Sequence, residues 1–159
     1  MIWLPLSDLL LEAQPERQVT LEPALFHPAL RERALRLAAA LQTQGVQRVA
    51  LYLEDAGELA IALLGAWRAG VQVLLPADSQ AQTRQRLAAQ VDLWLDDLAG
   101  LDAAPLPGAR LLPEQCRLTL CTSGSSGEPK LIDKSLAQLA NEVEALEHLW
   151  GQHLGQACV

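Results

Sequence analysis

The chain has 159 residues, half of them hydrophobic, and a formal net charge of −7. This length suits one domain or part of a larger one, and Leu, Ala and Val must build the core because aromatic residues make up only 4%. The acidic charge argues against nucleic acid as a partner. Residues 1–5 lack the basic stretch of a signal peptide, and the apolar run 59–67 is too short to cross a bilayer. We therefore expect a cytoplasmic protein with no membrane partner.

Neither the cysteines nor the histidines predict a catalytic or metal site. The three cysteines, Cys116, Cys121 and Cys158, are odd in number and form no C-x-x-C pair. This usage is typical of reduced, mostly buried thiols in a cytosolic protein. No histidine lies near Cys121 in sequence, which argues against a catalytic thiol there. The histidines at positions 27, 148 and 153 do not have the spacing of metal ligands.

Hydrophobic periodicity predicts helices and strands that alternate along the chain. Residues 1–26 show little pattern, although a short helix is expected to start within 8–12 and to end at Pro15. Further on, we predict helices over 28–44, 58–69, 80–90 and 136–150, and strands over 48–53, 71–75, 91–95 and 117–121. Gly45 and Gly70 are predicted to end the first two of these helices, and Ser135 with Gln138 forms a capping box for the last.

The predicted strands are mostly apolar and show no strict polar/apolar alternation, which is typical of strands buried on both faces. Alternation of such strands with helices predicts the α/β class, with a doubly wound, mainly parallel sheet covered by helices on both sides. Ligands of open sheets of this kind bind outside the carboxyl ends of the strands. The residues that follow the predicted strand 117–121 are therefore the first place to look for a site.

Those residues form a stretch rich in hydroxyls and glycine that ends in a lysine, T-S-G-S-S-G-E-P-K over 122–130. Glycine lets the backbone approach a ligand closely, and successive N–H groups in such a turn create an anion-binding concavity. The polyphosphate of a nucleotide suits these donors. A flexible Ser/Gly linker is the bland alternative, but the stretch joins two apolar runs with no room for a domain boundary. The Walker P-loop does not fit, because Gly127 and Lys130 are not adjacent.

All nine positions fit the pattern T-S-G-[ST]-[ST]-G-x-P-K, which resembles the phosphate-binding loop of the adenylate-forming superfamily. That superfamily includes acyl- and aryl-CoA synthetases, peptide-synthetase adenylation domains and luciferases. The segments 35–46 and 63–76 are also similar to family segments in order and spacing, so the resemblance covers roughly residues 28–150. One departure is Leu131, where the family usually has glycine. Within the family, the run 127–132 looks most like AMP-ligases of aryl-polyene and acyl-carrier-protein pathways.

The resemblance implies ATP-dependent activation of a carboxylic acid. In that reaction the carboxylate attacks the α-phosphate of Mg-ATP, and the acyl group of the resulting adenylate passes to a thiol of CoA or of an acyl carrier protein. The residues expected to hold the ATP phosphates are Thr122, Ser123, Gly124, Ser125, Ser126, Gly127 and Lys130. Thr122 is also the expected Mg²⁺ contact. The resemblance places no catalytic residue in this chain, and we interpret Glu128 and Lys134 as solvated surface charges.

Other family motifs have no counterpart here. The only lysines are Lys130 and Lys134, so the family's C-terminal catalytic lysine cannot be found, nor can its ribose-binding aspartate or its acidic-aromatic adenine motif. We therefore expect residues 1–159 to be an incomplete N-terminal AMP-binding domain without a C-terminal domain, inactive alone and prone to self-association. Whether it is an expressed fragment or a natural truncation stays open. The alternatives are a non-catalytic nucleotide- or anion-binding module, or a structural unit without a ligand.

Overall fold

The computed structural model describes residues 4–122 and 130–151. The described chain alternates strands and helices after a short N-terminal hairpin. Its elements are β1 (Gln18–Thr20), β2 (Leu25–Phe26), α1 (His27–Thr43), β3 (Arg48–Leu51), α2 (Ala56–Ala69), β4 (Gln72–Leu75), α3 (Ala81–Leu87), β5 (Leu93–Leu95), β6 (Arg117–Thr122), β7 (Lys130–Ser135) and α4 (Leu136–Leu146). A 3₁₀ turn over Leu6–Asp8 precedes β1, and a π-helical turn over Glu147–Gly151 follows α4.

Five of the strands form one sheet in the order β5-β3-β4-β6-β7. Strands β5, β3, β4 and β6 are parallel, whereas β7 is antiparallel to β6. The prediction of a mainly parallel sheet is therefore confirmed. β7 departs from it because the chain returns from β6 without the long crossover that a parallel neighbour requires.

Helices cover both faces of the sheet, as predicted. On one face, α1 and α2 pack over the side chains that alternate inward from β3 and β4, namely Val49, Leu51 and Val73. On the other face Ala50 and Leu74 pack against Leu87, which ends α3. Successive strand residues point to opposite faces, so both helix layers bury part of every central strand.

The glycines predicted to end α1 and α2 do so. Gly45 and Gly70 adopt positive φ angles of 69° and 78°, a region that glycine enters without a steric cost. After each glycine a backbone N–H reaches back into the last helical turn, from Val46 to Leu41 at 3.2 Å and from Val71 to Ala66 at 2.9 Å. The turns from helix to strand are thereby fixed.

The prediction of a helix that starts within residues 8–12 is wrong. In its place the chain makes the 3₁₀ turn and then an irregular path to β1. The main-chain carbonyl groups of Leu9, Leu10 and Leu11 accept hydrogen bonds from the side chains of His27 and Arg31. Side chains of α1 therefore bind carbonyl groups that would otherwise accept the backbone hydrogen bonds of a helix.

The final helix covers the predicted range but changes type and becomes progressively more exposed. Ser135 and Gln138 form the predicted capping box at its start, but α4 ends at Leu146 and the π-helical turn continues to Gly151. Leu136 is 1% exposed, whereas Leu146 is 50% and Trp150 54% exposed. Within the described residues, no helix has the length and apolar character needed to span a membrane.

Candidate phosphate-binding site

The predicted loop is attached to the carboxyl edge of the parallel strands. β6 ends there at Thr122, and β7 begins at Lys130 and runs back along β6. The two strands are paired from Arg117 opposite Ser135 to Thr122 opposite Lys130. We refer to this unit as the β6–β7 hairpin. Because its last pair joins residues 122 and 130, both ends of the intervening segment lie side by side at this edge.

The two described loop residues differ in their surroundings. The Thr122 hydroxyl is half-buried and donates a hydrogen bond to the Lys130 carbonyl oxygen, 3.4 Å away. Lys130 is exposed, and its ammonium group makes no ion pair with a carboxylate of the described residues. Lys134 is instead paired with Glu142 of α4. The hairpin thus presents one lysine without a described counter-ion at the edge and one that is neutralised further along the strand.

Five of the predicted phosphate contacts lie outside the described residues. These are Ser123, Gly124, Ser125, Ser126 and Gly127. Their roles, like those of Thr122 and Lys130, stay predictions from the motif. The structure adds the placement of the two ends of the segment, which brings Thr122 and Lys130 together.

Acidic side chains follow three other strands at the same edge, and each already has a local partner. Asp55 accepts the Glu58 N–H at 2.8 Å and caps α2. Asp78 accepts the Gln80 N–H at 2.9 Å, and its pKa is lowered by hydrogen bonds from the Thr83 side chain and from this N–H. These hydrogen bonds hold each carboxylate in the turn before its helix, while the group keeps its negative charge.

The third acidic residue is Asp96, which follows β5. Arg84 of α3 lies 2.6 Å from its carboxylate and lowers its pKa by donating a hydrogen bond to it. The same guanidinium stacks over the Trp94 ring, 4.6 Å from the centroid. Arg84 therefore fastens α3 to β5. The sequence does not reveal this interaction, because positions 84, 94 and 96 form no recognisable motif.

The described residues contain no cluster of three or more His, Cys, Asp or Glu side chains suited to a metal ion. In nucleotide sites Mg²⁺ usually keeps several water ligands and binds phosphate oxygens of the substrate, with only one or two protein groups. A hydroxyl at Thr122 and an ammonium group at Lys130 fit that kind of site better than a metal cage built from protein ligands.

The two described cysteines are poor nucleophiles. Burial raises the pKa of Cys116 to about 11 and also raises the pKa of Cys121, which lies one residue before the end of β6. A thiol with a raised pKa holds little thiolate at neutral pH.

On the same face of the hairpin as Cys121, the Thr119 hydroxyl donates a hydrogen bond to the Asp133 carboxylate at 2.6 Å and links the two strands.

Comparison with solved structures identifies the architecture. Over 86% of this chain, o-succinylbenzoate-CoA synthetase from Bacillus subtilis superposes with a TM-score of 0.66 at 15% identity. The fold is that of the adenylate-forming enzymes. An ATP-bound RpMatB-BxBclM chimera matches 91% of the chain with a TM-score of 0.68 at 19% identity. The N-terminal subdomain of NpsA from Klebsiella oxytoca matches 74% with a TM-score of 0.60 at 22% identity.

The chain spans about a third of each of these neighbours, covering 34% of the synthetase, 38% of the chimera and 37% of the NpsA subdomain chain. No protein-family model and no curated protein matches the sequence. The likeness is therefore one of fold, and it agrees with the resemblance that residues 122–130 carry.

Proposed function

We propose that this chain provides the ATP phosphate-binding end of an enzyme that activates a carboxylic acid as an acyl-adenylate and transfers the acyl group to a thiol. One observation carries the proposal: the T-S-G-S-S-G-E-P-K stretch begins and ends in the β6–β7 hairpin, at the carboxyl edge of a sheet with this fold. The motif and its position support the same interpretation, because ligands of open α/β sheets bind outside the carboxyl ends of the strands.

Each of the seven expected phosphate contacts in the stretch has a proposed role. The backbone N–H groups around Gly124 and Gly127, with the hydroxyls of Ser123, Ser125 and Ser126, surround the β- and γ-phosphates. Lys130 adds a positive charge. In-line displacement at phosphorus depends on positioning and on charge neutralisation more than on covalent help from the protein. A loop of donors with one lysine suits that requirement.

Thr122 would hold Mg²⁺, which supplies further neutralisation of phosphate charge when bound. The carboxylic acid is the small-molecule partner, and CoA or an acyl carrier protein provides the accepting thiol. We propose a cytoplasmic location, because the reduced cysteines and the ATP supply both suit that compartment. None of the residues in this chain is proposed to act as a general acid, base or nucleophile.

We further propose that the chain alone does not form acyl-adenylates at an appreciable rate. Loss of one preorganised electrostatic group typically costs about 10²- to 10³-fold in rate, and no group for adenine, ribose or the acid is recognisable in this sequence. ATP–pyrophosphate exchange with a panel of aryl and acyl acids tests this. We expect no exchange by residues 1–159 alone. In a longer protein that supplies those groups we expect exchange, and Lys130→Ala should weaken it. Robust exchange by the chain alone would contradict the proposal.

A non-catalytic nucleotide- or anion-binding module is the second candidate, and it rests on the same loop without the chemistry. Only an experiment on a longer protein separates the two candidates. There the module would bind ATP but would not catalyse ATP–pyrophosphate exchange. A structural unit without a ligand would bind no ATP at all.

Self-association is a further proposal for the isolated chain. β7 is an edge strand whose residues Leu131 and Ile132 are 48% and 41% exposed, and the adjoining end of α4 exposes Leu146 and Trp150. Edges and apolar surfaces of this kind favour association. Light scattering across a concentration series should show a mass above that of the monomer. A monomer at every concentration would contradict this.

A further inference from the structure

Among the described residues, His27 is the buried histidine, and the proposed function does not use it. It begins α1 and is 1% exposed. Three hydrogen bonds join it to residues 4–17, which we name the N-terminal strap. Its backbone N–H donates to the Arg17 carbonyl oxygen at 2.8 Å, and its ring nitrogens lie 2.9 Å from the Leu9 carbonyl oxygen and 3.1 Å from the Gln14 nitrogen.

These partners dictate the protonation state of the ring. A backbone N–H can only donate, so Nδ1 must accept from Gln14 and carry no proton. A carbonyl oxygen can only accept, so Nε2 must carry the proton and donate it to Leu9. The closed strap therefore requires the neutral imidazole with its proton on Nε2. A second proton would sit on Nδ1 and face the Gln14 N–H, placing two donors against each other.

The charged groups around the ring also oppose protonation. Burial lowers the pKa of His27 below its ordinary value of 6.5, and the nearby positive charges of Arg17 and Arg31 lower it further. The strap carboxylates do not compensate: Asp8 is paired with Arg110 at 2.8 Å, and Glu12 and Glu16 are exposed. The hydrogen bond to Leu9 acts in the opposite direction but does not outweigh burial.

The strap covers part of the main core. Leu10 is completely buried in the cluster that α1 and α2 form with the sheet. The Arg31 side chain donates hydrogen bonds to the carbonyl oxygens of Leu10 and Leu11 at 3.2 and 3.0 Å. The backbone N–H of Leu111 donates to the carbonyl oxygen of Ser7 at 2.8 Å. The 3₁₀ turn also contacts α4, the helix that follows the β6–β7 hairpin. Release of the strap would expose the Leu10 site of the core and would also remove the contact with α4.

We propose that the N-terminal strap is a pH-sensitive latch, which neutral His27 holds closed and which protonation of its ring releases. Because the folded ring binds a proton less readily than a released one, the closed state is fully favoured above pH 6.5 and loses stability as the pH falls below it. One proton is taken up per opening. The equilibrium constant for strap opening should therefore increase by up to about tenfold for each pH unit below 6.5.

Amide hydrogen exchange between pH 7.5 and 5.5, corrected for intrinsic rates, tests the latch. In the unchanged chain we expect the protection of the Gln14 amide to fall by up to about tenfold for each pH unit below 6.5, while amides of α2 and β4 keep their protection. His27→Gln offers one donor and one acceptor but does not titrate, so its strap exchange should not depend on pH, whether the strap is closed or already open. His148→Gln, at an exposed position on the π-helical turn, is the matched control and should behave as the unchanged chain.

A second variant tests the electrostatic part. Arg17→Gln removes a positive charge that acts on the ring, so the loss of strap protection should begin at a higher pH than in the unchanged chain. Three results would overturn the proposal. They are strap exchange without pH dependence in the unchanged chain, the same dependence in His27→Gln, or equal loss of protection in α2 and β4, which would mean that the whole domain opens rather than the strap.

Discussion

The centre of the sheet and its β7 margin are built differently. In β3 and β4 only the first residue is exposed, whereas the first four residues of β7 are all exposed. The helices follow the same division. α2 buries seven residues from Gly57 to Trp67, whereas α4 buries only Leu136.

This difference separates two tasks. Central strands that are covered on both faces hold the sheet together, and their side chains have no access to a ligand. The margin carries the β6–β7 hairpin, where the loop ends lie at the open carboxyl edge with less apolar burial around them. A binding loop needs such access, so its support must come from the buried centre, through the pairing of β6 with β4.

The largest effect should come from a cavity in the centre. Leu51 is 2% exposed and belongs to the main core, so Leu51→Ala should lower the free energy of unfolding by about 2–5 kcal/mol. Leu146, at the margin, is 50% exposed, and Leu146→Ala should cost less than about 1 kcal/mol. Urea denaturation of both variants measures the contrast. Equal losses would show that α4 is covered as well as the centre is.

A second, smaller effect should come from the contact between α1 and α2. A Cβ atom at Gly65 would lie 2.9 Å from the Ala34 carbonyl oxygen and 3.0 Å from a Leu37 methyl group. Gly65→Ala should therefore destabilise the chain by about 1–3 kcal/mol, even though alanine is the better helix former by about 1 kcal/mol. Thermal unfolding checks the sign. A raised Tm would mean that the two helices can separate without cost.

The helix caps should give the smallest stability change of the three. Asp55 caps α2 in the centre and Ser135 caps α4 at the margin, each by accepting a backbone N–H. Replacing either by alanine should cost about 1 kcal/mol. The location of the loss should differ: Asp55→Ala should lower global stability, and Ser135→Ala should mainly increase amide exchange in α4. Increased exchange in α2 after Ser135→Ala would remove the distinction between centre and margin.

The sequence predicted the centre better than the margin or the N-terminus. Apolar periodicity, Asp and Ser caps, and glycines such as Gly45 and Gly70 are local signals, and the α/β architecture follows from them. The strap could not be predicted, because its conformation depends on side chains of His27 and Arg31 binding carbonyls about twenty residues away. Similarly, Leu131 and Ile132 read as a short apolar run, and nothing local indicated that β7 would lie exposed at the edge of the sheet.

For the candidate site, the motif predicted the chemistry and the structure supplied the placement of its ends. Thr122 and Lys130 were expected from the spacing alone, and their pairing across β6 and β7 required the fold. The partner of Asp96 could not be foreseen, since Arg84 reaches this carboxylate only because α3 packs beside β5.

Calorimetric titration with ATP tests the central claim most directly, with Lys130→Ala compared against Lys134→Ala. Both lysines lie on β7, but Lys134 is already paired with Glu142. We predict that ATP binds the unchanged chain and that Lys130→Ala weakens binding about tenfold to a hundredfold, because a hydrogen bond to a charged group contributes about 1.5–3 kcal/mol. Lys134→Ala should bind ATP as the unchanged chain does, and the affinity for adenosine should not respond to Lys130→Ala. No detectable ATP binding, or equal weakening by both substitutions, would contradict a phosphate-binding role for this loop.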